Sequence, residues 1–412
     1  MQPRRLLITC VLAGSSLLLA PACDKGGAKK DAGKKAADAG KKADAGADVK
    51  AEGEGDAPGA AAGAAGEGEG WSFTLPKGLT EPPLVPEDNP MSAEKVALGH
   101  QLFMDKRLSG DGSRSCYSCH QNELGNADGR ATALGVGDKP LTRNTPTIWN
   151  VAYHQNGLYW DGRAATLEKQ MIGAWKGGNM GAGADNLEAK AKEIAALPEY
   201  AKQFTAVFGL DSADAVTPEH VAMAVSAYER TLLCGDTAFD KGELSEAAQR
   251  GWDLFRGKGS CTTCHSGDNF SDGQYHDVGI SHDESGALLA DADVGRGKPS
   301  GNEADNYKFR TPTLRNVSKT APYFHNGSAT DLSEVVRYMA AGGNAKAPGI
   351  DPNLRNTQLT EEEIADVVAF LESLACPGSL EVIGEQKVAG IGDAPAADAP
   401  AEAPAAEAPA AK

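Results

Sequence analysis

Two pentapeptides constrain this chain more than anything else in it: Cys116-Tyr117-Ser118-Cys119-His120 and Cys261-Thr262-Thr263-Cys264-His265. Both read Cys-x-x-Cys-His. That spacing lets two thiols form thioethers with the vinyl groups of one haem while the adjacent histidine is held beneath the iron. Four of the eight cysteines are thereby withdrawn from disulfide pairing. A zinc knuckle or a redox dithiol competes as the reading of one isolated motif. Two motifs in one chain favour two covalently attached c-type haems, with His120 and His265 as the proximal iron ligands.

The motifs sit in a repeated frame. Gly99-His100-Gln101-Leu102-Phe103 precedes the first and Gly251-Trp252-Asp253-Leu254-Phe255 the second; NTPTIWNVA at 144–152 follows the first and RTPTLRNVS at 310–318 the second. Tyr153-His154-Gln155-Asn156-Gly157 is echoed by Tyr323-Phe324-His325-Asn326-Gly327, which pairs His154 with His325. Matches in one order imply two copies of one haem-binding unit.

Local signals make each unit helical. Ser245 can cap a helix with Ala248, Trp252 and Phe255 on one face. Thr217 followed by Pro218 opens another, with Val221, Val225, Tyr228 and Leu232 aligned. Glycine-rich loops at 176–183 and 295–301 connect helices, and no run alternates well enough for a sheet. The expected fold is mainly α, with two tandem cytochrome c-like haem domains at 71–235 and 236–380.

The flanks carry no fold. Arg4 and Arg5 precede an apolar run from Leu6 to Ala20, then Ala20-Pro21-Ala22 before Cys23, so 1–22 reads as a secretory signal too short for a stable membrane span. Ordinary cleavage and lipid attachment at Cys23 both fit, with attachment preferred; either sends the chain to the periplasm or cell envelope. Residues 23–70 are rich in Ala, Gly, Lys and Asp, with DAGKK at 31–35 repeated at 38–42, and read as a disordered tether. The Ala/Pro tail at 381–412 is equally unsuited to folding. A net charge of -17 argues against a nucleic-acid partner and suits a small basic or neutral protein.

Where the two copies differ, their tasks should differ. The second offers Met339, and a thioether as sixth ligand suits electron transfer. Aligned on Thr166-Leu167, the first offers Ala174 or Trp175, neither of which can ligate iron, so the first haem is expected to keep an open side. Met171, Met180 and His154 are other conceivable ligands; a buried methionine is more often packing, and His154 and His325 are read as supporting or structural.

The chain resembles the bacterial dihaem cytochrome c peroxidases and their relative MauG over about residues 88–376. The resemblance is carried by the two haem motifs, RNTPTIWN at 143–150, YWDGRAATLEKQ at 159–170, AYERTL at 227–232, FRTPTLRN at 309–316 and APYFHNGS at 321–328. It implies an oxidoreductase in which the C-terminal haem accepts electrons from a small cytochrome c or cupredoxin and the N-terminal haem reduces hydrogen peroxide. Trp160 looks like the tryptophan between the haems. Asn144, with the carbonyls of Thr320 and Pro322, resembles an interdomain calcium site, for which hard oxygen ligands are right. Gln170 matches a pocket residue. Arg163, Arg310 and Arg315 are candidates to pair with haem propionates. Cys234 and Cys376, each just after an apolar helical stretch, are expected to pair as a disulfide.

Two departures from the family stand out. Val136 occupies the position where many members carry a histidine as a removable sixth ligand. Asn179 stands in place of the catalytic glutamate, and an amide hydrogen-bonds but shuttles no proton. Three functions therefore compete: peroxide reduction, MauG-like oxidation of a tyrosine or tryptophan on a partner protein, and non-catalytic electron carriage. A homodimer is also left open.

Overall fold

The computed structural model describes residues 71–377. The expected signal, tether and tail at 1–22, 23–70 and 381–412 lie outside the described residues. Capping residues set where the helices begin. Ser92 accepts the Lys95 amide at the head of α1 (Ala93–Met104), and Thr166 the Lys169 amide at the head of α2 (Leu167–Lys176). α3 (Leu187–Ala195) and α4 (Pro198–Phe208) follow, and Thr217 with Pro218 opens α5 (Pro218–Glu229) as expected. Then come α6 (Ala238–Lys241), α7 (Glu246–Arg256) capped by Ser245, α8 (Gly297–Ser300), α9 (Leu332–Ala340) capped by Asp331, and α10 (Glu361–Glu372) capped by Thr360. Each cap satisfies an amide that the helix leaves without an internal partner. Where the sequence suggested no sheet, the described residues hold one short antiparallel pair, β1 (Tyr275–His276) with β2 (Phe309–Arg310). Two residues per strand are too few to write an alternating pattern.

Two apolar cores form. In the first, Leu98, Leu102 and Phe103 of α1 meet Val221, Val225 and Tyr228 of α5, with Trp175 and Phe204 closing the sides. In the second, Phe255 of α7 and Val336 of α9 pack on Ile364, Val367 and Phe370 of α10. Phe370 lies 5.0–5.5 Å from the rings of Phe255, Trp252 and Phe239. Truncating it to alanine should cost about 3–5 kcal/mol.

The cores are built alike. A Cβ on Gly99 would collide with the Ala224 carbonyl, and one on Gly251 with the Asp366 carbonyl, so the α1/α5 and α7/α10 pairs cross at the same point. Asn150 donates its amide to Leu232 O, and Asn316 does the same to Leu374 O. These contacts match Ala224 with Asp366, Tyr228 with Phe370 and Leu232 with Leu374. Further along, the bridge Leu158–Ala164 matches Tyr323–Ala329, with positive φ at Tyr159 and Phe324 and at Gly162 and Gly327. Trp160 therefore corresponds to His325. The pairing of His154 with His325 expected from the shared Asn-Gly dipeptide is out of register, because turn geometry rather than that dipeptide fixes the correspondence. The same register carries Thr166 to Asp331, both N-caps, and Ala174 to Met339.

Cys234 and Cys376 form a disulfide, at Cα–Cα 5.5 Å and a sequence separation of 142. They are equivalent positions of the two copies, each just beyond its terminal helix. The pairing is the expected one. Cys234 is 1% exposed and Cys376 half-buried.

Candidate haem sites

Each motif folds as a single 3-10 turn, Cys116–Ser118 and Cys261–Thr263; the second comes shortly after α7, and the first follows α1 after a further 3-10 turn at Lys106–Leu108 and a loop. Cys116, Cys119, Cys261 and Cys264 are all free thiols. His120 Nδ1 lies 3.0 Å from Asn126 O, and His265 Nδ1 lies 2.9 Å from Phe270 O. A carbonyl can only accept, so Nδ1 carries the proton in both rings and Nε2 keeps its lone pair for a metal. Asn126 and Phe270 have positive φ, which turns each carbonyl toward its histidine. Burial pushes both histidines below the ordinary value, favouring the neutral form that ligates.

A cavity surrounds the second motif. Its walls are Cys261, Cys264 and His265, Leu332, Val335, Val336 and Met339 of α9, and Val367 and Leu371 of α10. Met339 and His265 thus share one apolar chamber. The wall is completed from the first half of the chain by Asn144, His154 and Trp160, and by Thr320, Pro322 and His325.

Trp160 stands in the seam between the halves. Its Nε1 donates to Asn144 O (2.9 Å), and its carbonyl accepts the Arg310 amide (2.8 Å). Asn144 donates its own amide to His325 O at 2.7 Å and Nδ2 to Arg130 O at 2.8 Å. Among the described residues, Asn144 Oδ1 and the carbonyls of Thr320 and Pro322 accept no protein hydrogen bond, leaving three hard oxygen donors on the same cavity. Arg143, part of the RNTPTIWN segment, ties the seam by bridging Asp161 (2.8 Å) and Asp293.

The three candidate arginines separate. Arg163 is paired with Asp161 at 3.0 Å and is 42% exposed. Arg315 is buried against Asp240, with Nη1 at 2.8 Å and Nη2 at 3.0 Å from its carboxylate. Neither guanidinium is left wanting an anion. Arg310 is different: it is buried on the cavity wall, bonded to His154 at 3.0 Å and to backbone carbonyls, with no carboxylate. Burial pulls it down to about 10, and burial first, with the Arg310 charge added, pushes His154 well below the ordinary histidine value. A buried cation without a counter-ion calls for one from the bound group.

At the first site, Ala174 lies on α2 where Met339 lies on α9. Trp175 is fully buried, its indole donating to Leu108 O at 2.7 Å. Met171 and Met180 belong to the first core. His154 faces the second cavity, bonded to Arg310. Val136, half-buried, opens a short turn and brings no ligand. Gln170 is half-buried on α2, and Asn179 half-buried in the turn after it.

Residues 93–248 match the family described as di-haem cytochrome c peroxidase, and residues 248–375 match the cytochrome c family. The chain is 41% identical over 331 residues to the cytochrome-c peroxidase IdrP1 of Denitromonas iodatirespirans, covering 73% of this chain and 86% of that one. It is 38% identical over 300 residues to the methylamine utilization protein MauG of Methylorubrum extorquens, covering 70% and 80%. The chain belongs to the di-haem cytochrome c peroxidase and MauG family. Among solved structures, a MauG-like protein associated with microbial copper homeostasis aligns with TM-score 0.68 at 34% identity, covering 74% of this chain and 96% of that one. The di-haem peroxidase BthA of Burkholderia thailandensis has the same fold, at TM-score 0.58 and 21% identity.

As a member of this family the protein is a mainly α oxidoreductase with two cytochrome c-like domains and haem c as cofactor. Its residues fit that group: two free thiols and a pre-oriented histidine at each site, an apolar chamber at the second, and an unpaired buried arginine on its wall. Cys264, Asp272 and His276 also bring three metal-binding atoms within 4.8 Å of one another. That cluster would need Cys264 as a free thiolate, which thioether formation removes. Among the described residues no helix is long and apolar enough to cross a membrane.

Proposed function

We propose that this protein is a dihaem peroxidase in which electrons from a small cytochrome c or cupredoxin enter at the C-terminal haem, held by His265 and Met339, and pass to the N-terminal haem, held by His120, where hydrogen peroxide is reduced to water. The observation that carries this reading is the unequal pair of Met339 and Ala174 at equivalent helix positions. A thioether saturates an iron and raises its potential, which suits relay, whereas an alanine methyl ligates nothing and leaves room for substrate. Bound at these sites, the haems supply irons that exchange single electrons and, at the open one, bind peroxide.

The chain's own residues position and insulate. Trp160, pinned by Asn144 O, puts an aromatic ring between the halves and so shortens the electron path. Gln170 and Asn179 hydrogen-bond the substrate in the first pocket but move no proton. Arg310 neutralises a propionate of the second haem. Asn144 Oδ1 with the Thr320 and Pro322 carbonyls holds one calcium ion across the seam. Export to the periplasm or cell envelope, with a lipid anchor at Cys23, keeps the enzyme beside its donor.

A second reading, peroxide-dependent oxidation of a tyrosine or tryptophan on a partner protein, is favoured by Asn179 in place of a carboxylate and opposed by Met339, since MauG-like enzymes typically carry tyrosine there. Spectroscopy of the purified holoprotein with peroxide decides. The expected resting protein has one low-spin and one high-spin haem and turns over peroxide with reduced cytochrome c. Two six-coordinate low-spin haems and a Soret band indifferent to peroxide would leave only electron carriage. Oxidation of a partner's aromatic residue without any reduced donor would establish the second reading.

A further inference from the structure

We infer that Glu229 faces the first haem and carries the proton in that pocket, the task that neither Asn179 nor Gln170 can perform. The inference rests on the peroxidase reading for its substrate and on the duplicated architecture for its geometry. α5 and α10 stand in fixed register, with Ala224, Tyr228 and Leu232 matching Asp366, Phe370 and Leu374, so that Val225 matches Val367 and Glu229 matches Leu371. Val367 and Leu371 wall the cavity of the second haem. Their counterparts occupy the same place around the first, where a carboxyl stands instead of an isobutyl group. The neighbouring helix makes the same exchange: Val335 walls the second cavity, and its counterpart on α2 is Gln170. The second pocket is apolar at both positions and the first is polar at both.

The Glu229 carboxyl is not occupied otherwise. The residue is 7% exposed, and its Oε2 is buried without a hydrogen-bond partner. Arg230, next in sequence, is committed elsewhere, to Glu168 at 2.8 Å and Leu84 O at 3.3 Å. The remaining groups that feel Glu229 electrostatically are Tyr159, Tyr228 and Cys116, the last being a thioether once haem is attached. Burial raises Glu229 to about 8, with Arg230 pulling it down and Glu168 pushing it up. A carboxyl of that kind exchanges its proton near neutrality, as general acid–base catalysis requires.

The carboxylate takes the proton from the peroxide oxygen nearer the pocket floor and returns it to the far oxygen. The O–O bond breaks with its electron pair leaving on the far oxygen as water. The remaining oxygen accepts two electrons from the redox donor and two protons from solvent to give the second water. Glu229 ends as it began.

The test uses the ferric holoprotein and two probes, cyanide and hydrogen peroxide, with Glu229→Gln and Glu229→Leu, the latter copying Leu371. Hydrogen cyanide must shed its proton to bind, so a pocket base sets its association rate. For the parent protein, that rate should rise with pH through the carboxyl's titration. In both variants it should fall about tenfold or more and lose the carboxyl's inflection between pH 6 and 9, keeping only the rise that follows hydrogen cyanide's own ionisation, while the peroxide reaction slows about a hundredfold. Both variants should keep two attached haems and the parent melting temperature within a few degrees. If one variant fails to load haem, the other carries the measurement. Parent-like cyanide rates and pH profile in a fully loaded variant overturn the inference. A parent protein inert to peroxide, yet showing the cyanide dependence that the variants lose, supports the placement of Glu229 and overturns the peroxidase reading instead.

Discussion

Opening the Cys234–Cys376 disulfide should be strongly destabilising to this chain, and the size of the effect follows from its place. The bond spans 142 residues and joins the equivalent ends of two cores. Closing a loop of that length removes denatured-state entropy worth about 5 kcal/mol in the chain-entropy treatment. Unfolding roughly three hundred residues at about 2.1 cal/mol/K each gives a slope near 0.6 kcal/mol/K, so a cooperative transition should fall by about 8 °C. Cys234→Ser/Cys376→Ser is the cleaner perturbation, because it leaves no stray thiol. The main-chain anchors, from Cys234 N to Asn150 Oδ1 (2.7 Å) and from Cys376 N to Asn316 Oδ1 (3.2 Å), survive it. Haem spectra at 25 °C should therefore be those of the parent while calorimetry shows the drop. A melting temperature within 2 °C of the parent, or two alkylatable thiols in unreduced parent protein, would refute the reasoning.

Three further outcomes test the sites. Met339→Ala should lower the potential of the C-terminal haem and turn it high-spin, read by potentiometric titration and resonance Raman. Trp160→Phe removes the donor to Asn144 O, so stability should fall by about 1–2 kcal/mol while the inter-haem electron transfer seen in stopped flow slows at least tenfold; an unaltered transfer rate leaves Trp160 as interface packing only. Asn179→Glu adds a second proton-carrying group to the first pocket in addition to Glu229, and peroxide turnover with reduced cytochrome c should rise; steady-state assay at saturating donor measures it, and an unchanged or lower rate would count against that position.

The sequence alone determined what covalent chemistry and local capping can write. Haem attachment needs only five consecutive residues, so both motifs were legible without a fold. Ser245, Thr217-Pro218 and the Thr166-Leu167 alignment were legible because a cap acts on amides two or three residues away, and from that alignment came the contrast between Met339 and Ala174. Tertiary structure decided everything that depends on which distant residues meet. Arg163, Arg310 and Arg315 look alike in sequence, yet only packing reveals that Asp161 and Asp240 satisfy two of them and leave Arg310 bare. His154 and His325 share an Asn-Gly context two residues on or one, but the turns that set register put Trp160, not His154, opposite His325. Glu229 lies in a segment already marked by its motif, and nothing local distinguishes it from a surface glutamate. Its burial, and its match to a cavity-wall leucine, arise from helices more than one hundred residues apart, because a side chain's environment is set by what packs against it rather than by its neighbours in the chain.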